Sequence, residues 1–375
     1  MSRVDHLAVY LSNRCNLACR YCYVAVNQAA TSRLTIAQIR RAVDEFCDAV
    51  APSDRKITFL GGEPLLDWSL FKDAARYARR RGGPDMILQT FTNATLLSPG
   101  KLETMRRLGV DCTVSLDGLK GDNDRDRIYR KAKDRSVYKD EIGRLALLDK
   151  RDLGVNLVFS AVNVERLLVN LEALREMGFD RIAFSPQLYE EWPDEKLRVM
   201  SRVLSGVARW YSALLDAGRA PQIQTLFAFL RNFNADVVGG CRQPDCYDMV
   251  LGPDARYYVC DKAMGFPAGQ SAGFSVGGAE VGMDWSARRS RLDDLFNWIE
   301  KRGGSRDVSC PVGVVVHARL SGRDPGRALD SFRRVAAVFD AGLSELVSLC
   351  RAHPAFEERY GDAVRSIQCS IAASQ

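Results

Sequence analysis

The chain lacks any apolar run long enough to span a membrane, which excludes a helical membrane protein. It also lacks a basic segment followed by an apolar segment and a cleavage site. A strand-like stretch, Leu7-Ala8-Val9-Tyr10-Leu11, comes almost at once. No secretion signal is therefore expected, and the expected location is cytoplasmic. A dominant charge of one sign is missing too. The 53 Lys and Arg against 47 Asp and Glu give a formal +6, with the two signs interleaved along most of the chain. That balance does not argue for a nucleic-acid partner. At 375 residues the chain can hold one large domain plus a smaller one.

Cysteine is not lacking. Eleven cysteines without a secretion signal point away from disulfides and toward metal or redox chemistry in a reducing compartment. Cys15, Cys19 and Cys22 form one set, with three residues between the first pair and two between the second. Cys241, Cys246, Cys260 and Cys310 form another, and Cys47, Cys112, Cys350 and Cys369 are scattered, each expected as a small core residue. Thiolate sulfur is the usual protein ligand of an iron–sulfur cluster. Three ligands on a four-iron cluster leave one iron open, and an open position marks a catalytic centre. The competing reading is a buried helical stripe, because positions i, i+4 and i+7 share a helix face. The flanking Arg14, Asn16 and Arg20 argue against it.

Strand-like and helix-like stretches alternate up to about residue 217. Strands are predicted at 7–12, 56–60, 86–91, 111–116, 154–160 and 181–185, and helices at 35–49, 68–81, 99–108, 138–149, 165–176 and 195–216. Thr35, Ser98 and Asp194 read as helix caps. Strict alternation implies a parallel sheet with helices outside, and in parallel barrels the chemistry sits at the C-terminal strand ends. The polar motifs follow that rule. The cysteine loop follows the first strand, Gly61-Gly62-Glu63-Pro64 the second, Thr92-Asn93 the third, Ser115-Leu116-Asp117-Gly118 the fourth and Asn163 the fifth. Each of these also reads as a capped turn. Residues 119–135 are dense in both charges and read as a solvated loop. The Gly- and Ser-rich stretch 265–282 reads as a flexible loop, a candidate lid. His317, after Val314-Val315-Val316, reads as a buried strand residue.

The cysteine spacing, with aromatic Tyr21 before the last ligand, resembles the signature of the radical S-adenosylmethionine (radical SAM) family. That resemblance implies a partial (β/α)6 TIM-type barrel. In that family a [4Fe–4S] cluster binds SAM at its open iron and cleaves it to a 5′-deoxyadenosyl radical, which removes hydrogen from a substrate. It further implies SAM contacts from Gly61, Gly62 and Glu63 and from Ser115 and Asp117, with Tyr21, Asn93 and Asn163 as further cofactor-binding candidates. In peptide-modifying relatives an arginine after the fourth strand approaches SAM, and Arg125 and Arg127 are the candidates here. A flavodoxin- or ferredoxin-type electron donor is implied as well.

The second cysteine set could close a complete [4Fe–4S] site or hold zinc, although it has no Cys-x-x-Cys knuckle. Cys260 reads as the end of a hairpin turning at Pro253-Asp254. The four positions are similar to the first auxiliary-cluster ligands of SPASM/Twitch-type radical SAM enzymes, among them anaerobic sulfatase-maturating enzymes, with Ala255 where a glycine is usual. After Cys260 only Cys310, Cys350 and Cys369 remain, so one auxiliary cluster is expected, the Twitch-like arrangement. Asp261 occupies the position of the maturases' proposed base, and a carboxylate in a dry pocket suits that role; a turn residue is the plainer reading. The expected organisation is a barrel over 1–217, an auxiliary domain over 218–325 and a C-terminal helical segment over 326–375. The expected activity is hydrogen abstraction from a peptide or protein side chain, leading to oxidation or cross-linking. A small-molecule alcohol, sugar or nucleoside is the alternative substrate class. A non-catalytic iron–sulfur or zinc-binding module is the alternative of another kind.

Overall fold

A computed structural model describes residues 4–24, 32–52, 55–234, 248–303 and 310–361. Its first half alternates strand and helix. The order is β1 (His6–Tyr10), α1 (Ile36–Ala49), β2 (Lys56–Leu60), α2 (Trp68–Gly82), β3 (Ile87–Thr92), α3 (Pro99–Arg107), β4 (Val110–Ser115), α4 (Lys120–Asp126), α5 (Val137–Leu145), β5 (Leu153–Phe159), α6 (Leu167–Glu176), β6 (Arg181–Pro186) and α7 (Asp194–Asp216). Then come β7 (Gln222–Ile223), α8 (Gln224–Asn234), β8 (Asp248–Leu251), β9 (Arg256–Tyr258), α9 (Ala268–Ser271), β10 (Ser275–Gly278), β11 (Gly282–Met283), α10 (Trp285–Glu300), α11 (Pro311–Leu320) and α12 (Pro325–Cys350).

Local chemistry sets several of these boundaries. Thr35 accepts from the Gln38 amide while the Gln38 side chain accepts from the Thr35 amide, a reciprocal cap that starts α1. Ser98 caps α3, whose first residue is Pro99. Asp194 does not cap α7. The cap is Pro193, and Asp194 and Glu195 lie in the first turn, where a carboxylate favours the helix dipole.

Strands β1 to β7 pair in parallel and in chain order; Val9 lies opposite Phe59 and Thr90 opposite Cys112. β8 joins the free edge of β1, also in parallel, and β9, β10 and β11 extend the sheet as an antiparallel meander. β1 is thus central, and Leu7, Val9, Tyr10 and Leu11 are all buried. This is the open α/β barrel of the expected class, with every parallel strand presenting its C-terminal end on one side.

Two expectations change. The stretch 265–282 forms α9, β10 and β11, so composition misread hairpin glycines as flexibility. His317 sits in helix α11; Pro311 at the first helical position starts the helix and overrides the strand preference of three valines. The C-terminal helices are part of the core. Phe339 of α12 meets Phe159 and Phe184 at ring distances of 6.2 and 5.9 Å, and the Tyr360 hydroxyl lies 3.1 Å from that of Tyr211. No described helix is long and apolar enough to cross a membrane.

Candidate functional site

The cysteine loop lies beyond the C-terminal end of β1, held from two sides. On one side the turn after β2 presses against it. The Gly62 amide donates to the Ser12 carbonyl (2.9 Å) and the Glu63 amide to the Arg14 carbonyl (2.8 Å). A Cβ on Gly62 would stand 2.2 Å from the Arg14 carbonyl oxygen and 2.9 Å from the Cys15 Cβ. Gly61 has φ +153°, and a Cβ there would stand 2.5 Å from the Ser12 carbonyl oxygen. The paired glycines therefore give the loop room for its path.

On the other side residues 126–130 run antiparallel to residues 16–20. The Ala18 amide donates to Ile128 (2.8 Å), the Arg20 amide to Asp126 (2.9 Å) and the Arg130 amide to Asn16 (3.0 Å). The segment predicted as a solvated loop is thus α4 followed by a strap across the cysteine loop. Mixed charge suggested exposure, yet Asp122, Asn123 and Arg127 are buried.

Cys15, Cys19 and Cys22 are half-buried and form no disulfide, and their charges act on one another. Burial, with Glu63 next, pushes the Cys15 thiol up to about 12, and burial raises Cys19 as well. Such thiols give up their protons to a metal, since metal ligation requires thiolate. Among the described residues no three His, Cys, Asp or Glu converge on a single ion. The donor set and the close backbone around it fit an iron–sulfur cluster.

Glu63 is buried, and its carboxylate accepts from the Thr92 hydroxyl (2.7 Å), the Asn93 amide (2.8 Å) and the Leu65 amide (3.0 Å). Burial raises its pKa against these donors. Asn93 donates to Asn16 Oδ1 (2.9 Å), which ties the β3 end to the cysteine loop. Asp117 accepts the Tyr21 hydroxyl at 2.5 Å and the Val158 amide at 3.0 Å. Arg127 donates to the Tyr21 oxygen at 3.0 Å, whereas Arg125 turns away to Asp126 and Ser160. Ser115 ends β4, half-buried. Asn163 folds back, accepting from the Ser160 amide at 2.9 Å, so its side chain caps its own turn.

Cys241 and Cys246 lie outside the described residues. Cys260 follows β9, Cys310 stands just before α11, and the Cys310 charge acts on Cys260. The β8–β9 hairpin turns as predicted, with Ala255 at φ +64°, the conformation glycine would take at less strain. Asp261 reaches across to the first loop. Its Oδ2 accepts from Lys262 Nζ (2.7 Å), the Tyr23 hydroxyl (3.0 Å) and the Tyr10 hydroxyl (3.2 Å), and Lys262 Nζ lies 3.7 Å from the Tyr23 ring centroid. The sequence reading missed Tyr10, Tyr23 and Lys262. Each is adjacent to a named residue or at a strand end, a signal that position alone could have raised. It also missed Asn123 and Glu141, which no local pattern marks. Cys47, Cys112 and Cys350 are buried core residues, as expected; Cys369 lies outside the described residues.

Fold and cysteine loop together place three cysteines beyond the C-terminal strand ends of an open α/β barrel. Residues 9–146 match the profile of the radical SAM superfamily. It is 26% identical over 261 residues to a serine-type anaerobic sulfatase-maturating enzyme of Klebsiella aerogenes, covering 66% of this chain and 64% of that protein. The chain thus spans less than two thirds of that curated relative. A probable GTP 3′,8-cyclase of Methanocella arvoryzae is 33% identical over 126 residues, covering 33% of this chain and 37% of that protein. Among solved structures the chain is similar to native anSMEcpe with bound AdoMet, with a TM-score of 0.68 and 15% identity over 92% of this chain and 99% of that one. Streptococcus suis SuiB bound to precursor peptide SuiA gives a TM-score of 0.51 and 15% identity over 71% of this chain and 61% of that one.

Proposed function

We propose that this chain is a radical SAM enzyme that abstracts hydrogen from a peptide or protein side chain, and that oxidation or cross-linking follows. Cys15, Cys19 and Cys22 would hold the SAM-binding [4Fe–4S] cluster, and Cys241, Cys246, Cys260 and Cys310 one auxiliary [4Fe–4S] cluster. When bound, these groups supply reductive SAM cleavage, the 5′-deoxyadenosyl radical and electron-transfer capacity. The chain's own residues do the rest. Gly61, Gly62, Glu63, Asn93, Ser115 and Asp117 line the strand ends where SAM would lie; Tyr21 and Arg127 brace Asp117. Asn163, whose side chain caps its own turn, is the weakest of the cofactor contacts.

The observation that carries the reading is Asp261. It stands beside Cys260 yet bonds to Tyr23, the residue after Cys22, so a carboxylate bridges the two cysteine regions. A substrate between them would meet hydrogen abstraction on one side and a proton acceptor on the other. The sulfatase-maturating relative and the peptide-bound neighbour support a peptide substrate. A flavodoxin- or ferredoxin-type protein would donate the electron. The cyclase relatives favour a second reading, a small nucleotide-like substrate.

The test is 5′-deoxyadenosine formation by anaerobically reconstituted enzyme with SAM, dithionite and size-fractionated extract of the source organism. The expected result is stimulation by the peptide and protein fraction. Stimulation only by the small-molecule fraction would overturn the peptide reading and favour the second.

A further inference from the structure

A closed ring of buried polar groups lies beneath the cysteine loop. Tyr21 donates to Asp117 (2.5 Å), and the Asp117 amide donates to Asn123 Oδ1 (3.0 Å). Asn123 Nδ2 donates to Glu141 Oε2 (2.8 Å), Arg127 Nε to Glu141 Oε1 (3.3 Å), and Arg127 Nη1 back to the Tyr21 oxygen (3.0 Å). Asn123 and Glu141 are 0% exposed, Asp117 1% and Arg127 4%. The ring joins four elements: the cysteine loop, the end of β4, α4 with the strap, and α5.

Burying an ion pair brings little net stability, because desolvation offsets the attraction, and apolar packing of similar volume does as well or better. A fully satisfied buried network specifies position instead. Here the position specified is that of Arg127. Its guanidinium is fixed at one edge by Glu141 and at the other carries the hydroxyl of Tyr21, whose neighbour in the chain is Cys22. α5 secures the strap a second time, since the Tyr129 hydroxyl donates to Asp140 Oδ2 at 2.5 Å. α5 itself makes none of these bonds to the cysteine loop; it acts through the strap.

We propose that Glu141, oriented by Asn123 and acting through Arg127, is the positioning residue that locks the cysteine loop to the end of β4 and thereby sets the affinity for SAM. The inference rests on the reading of Asp117 and its neighbours as the place where SAM lies; it does not depend on the peptide reading. Glu141→Gln removes the charge that fixes Arg127 and turns an amide donor toward Asn123. Adding Asn123→Asp should repair both faults. The introduced carboxylate can accept from the new amide and from the Asp117 amide, and the negative charge stays inside the ring.

The experiment measures the SAM dissociation constant of cluster-loaded full-length protein by titration. It also follows the SAM-induced change in the electron paramagnetic resonance spectrum of the reduced cluster, and the thermal midpoint. The expected result is SAM binding weaker by about tenfold or more in Glu141→Gln, about 1.4 kcal/mol per tenfold step. The paired variant should return to within about threefold of wild type with the wild-type spectral change. A merely structural Glu141 would lower the thermal midpoint and leave affinity and spectrum unchanged, and that outcome overturns the proposal. So does a paired variant as weak as the single one. If Glu141→Gln does not fold, Asn123→Ala, which leaves the ion pair, should weaken SAM about threefold; no change in affinity overturns the proposal. Asp117→Asn separates the two levels: if it leaves SAM affinity unchanged, the underlying site reading fails. If it weakens binding while Glu141→Gln does not, only the inference fails.

Discussion

The two cysteine regions are built in opposite ways. Cys15, Cys19 and Cys22 come from one continuous stretch, clasped by the Gly61–Gly62 turn and the 126–130 strap. Cys260 and Cys310 stand fifty positions apart and come near each other because the turn Asp261–Ala263 packs against α11. The first region has its shape from nearby backbone hydrogen bonds. The second depends on tertiary packing, and it reaches the first through Asp261, Lys262, Tyr10 and Tyr23. Cysteines on one loop take their spacing from the chain itself, whereas cysteines on separate elements need the packing between those elements.

Replacing Cys15, Cys19 and Cys22 together by alanine breaks the comparison most sharply. The expected outcome is complete loss of 5′-deoxyadenosine formation, with about four irons per chain retained if the second region holds its own cluster. Anaerobic iron counting checks it; iron falling to near zero would show that the second region does not stand alone. Gly62→Ala comes next. Its new methyl meets backbone, which cannot swing aside, so destabilisation of about 2 kcal/mol or more and poor cluster loading are expected. Thermal unfolding and the cluster's visible absorbance would show it; wild-type loading would mean the loop has slack.

Lys262→Met probes the junction. Asp261 keeps two hydroxyl donors but loses its cation, and with side-chain exposures of 18% and 25% for Lys262 and Asp261 a loss of about 1–2 kcal/mol is expected. An unchanged thermal midpoint would show that the two regions are not coupled there.

The smallest effect concerns His317, which stacks on Tyr189 (4.8 Å) and takes a hydrogen bond from Arg323 at 2.9 Å. Arginine only donates, so Nδ1 accepts and the ring is neutral. Burial first, then the Arg323 and Lys262 charges, push its pKa down to about 4. Below about 6.5, the ordinary histidine value, the unfolded chain takes up a proton that the folded chain refuses. The contribution of this ring is therefore present above pH 6.5 and is lost as pH falls toward 4. Between pH 7 and 5 the thermal midpoint of wild type should fall further than that of His317→Gln; parallel curves would contradict this.

The barrel was legible because strand alternation and helix caps are local signals, as at Thr35 and Ser98. The cysteine spacing was legible because all three cysteines sit on one loop. The strap was not. Residues 119–135 carry charges of both signs, and charge predicts solvent unless partners are known. The partners of Arg127 are Tyr21, 106 positions away, and Glu141, 14 positions on, and neither spacing marks a contact. His317 was misplaced for another reason, since Pro311 starts a helix that overrides the strand preference of its valines.

By itself the sequence determined the class: the alternation, the three-cysteine loop, the glycine pair and the polar strand ends all speak through spacing. The tertiary structure decided which of two arginines faces the loop, that a buried glutamate holds it, and that Asp261 bridges two regions. Spacing along a chain is written in the residues themselves, but a buried charge is stabilised only by the group folded against it, and that group can come from anywhere in the chain.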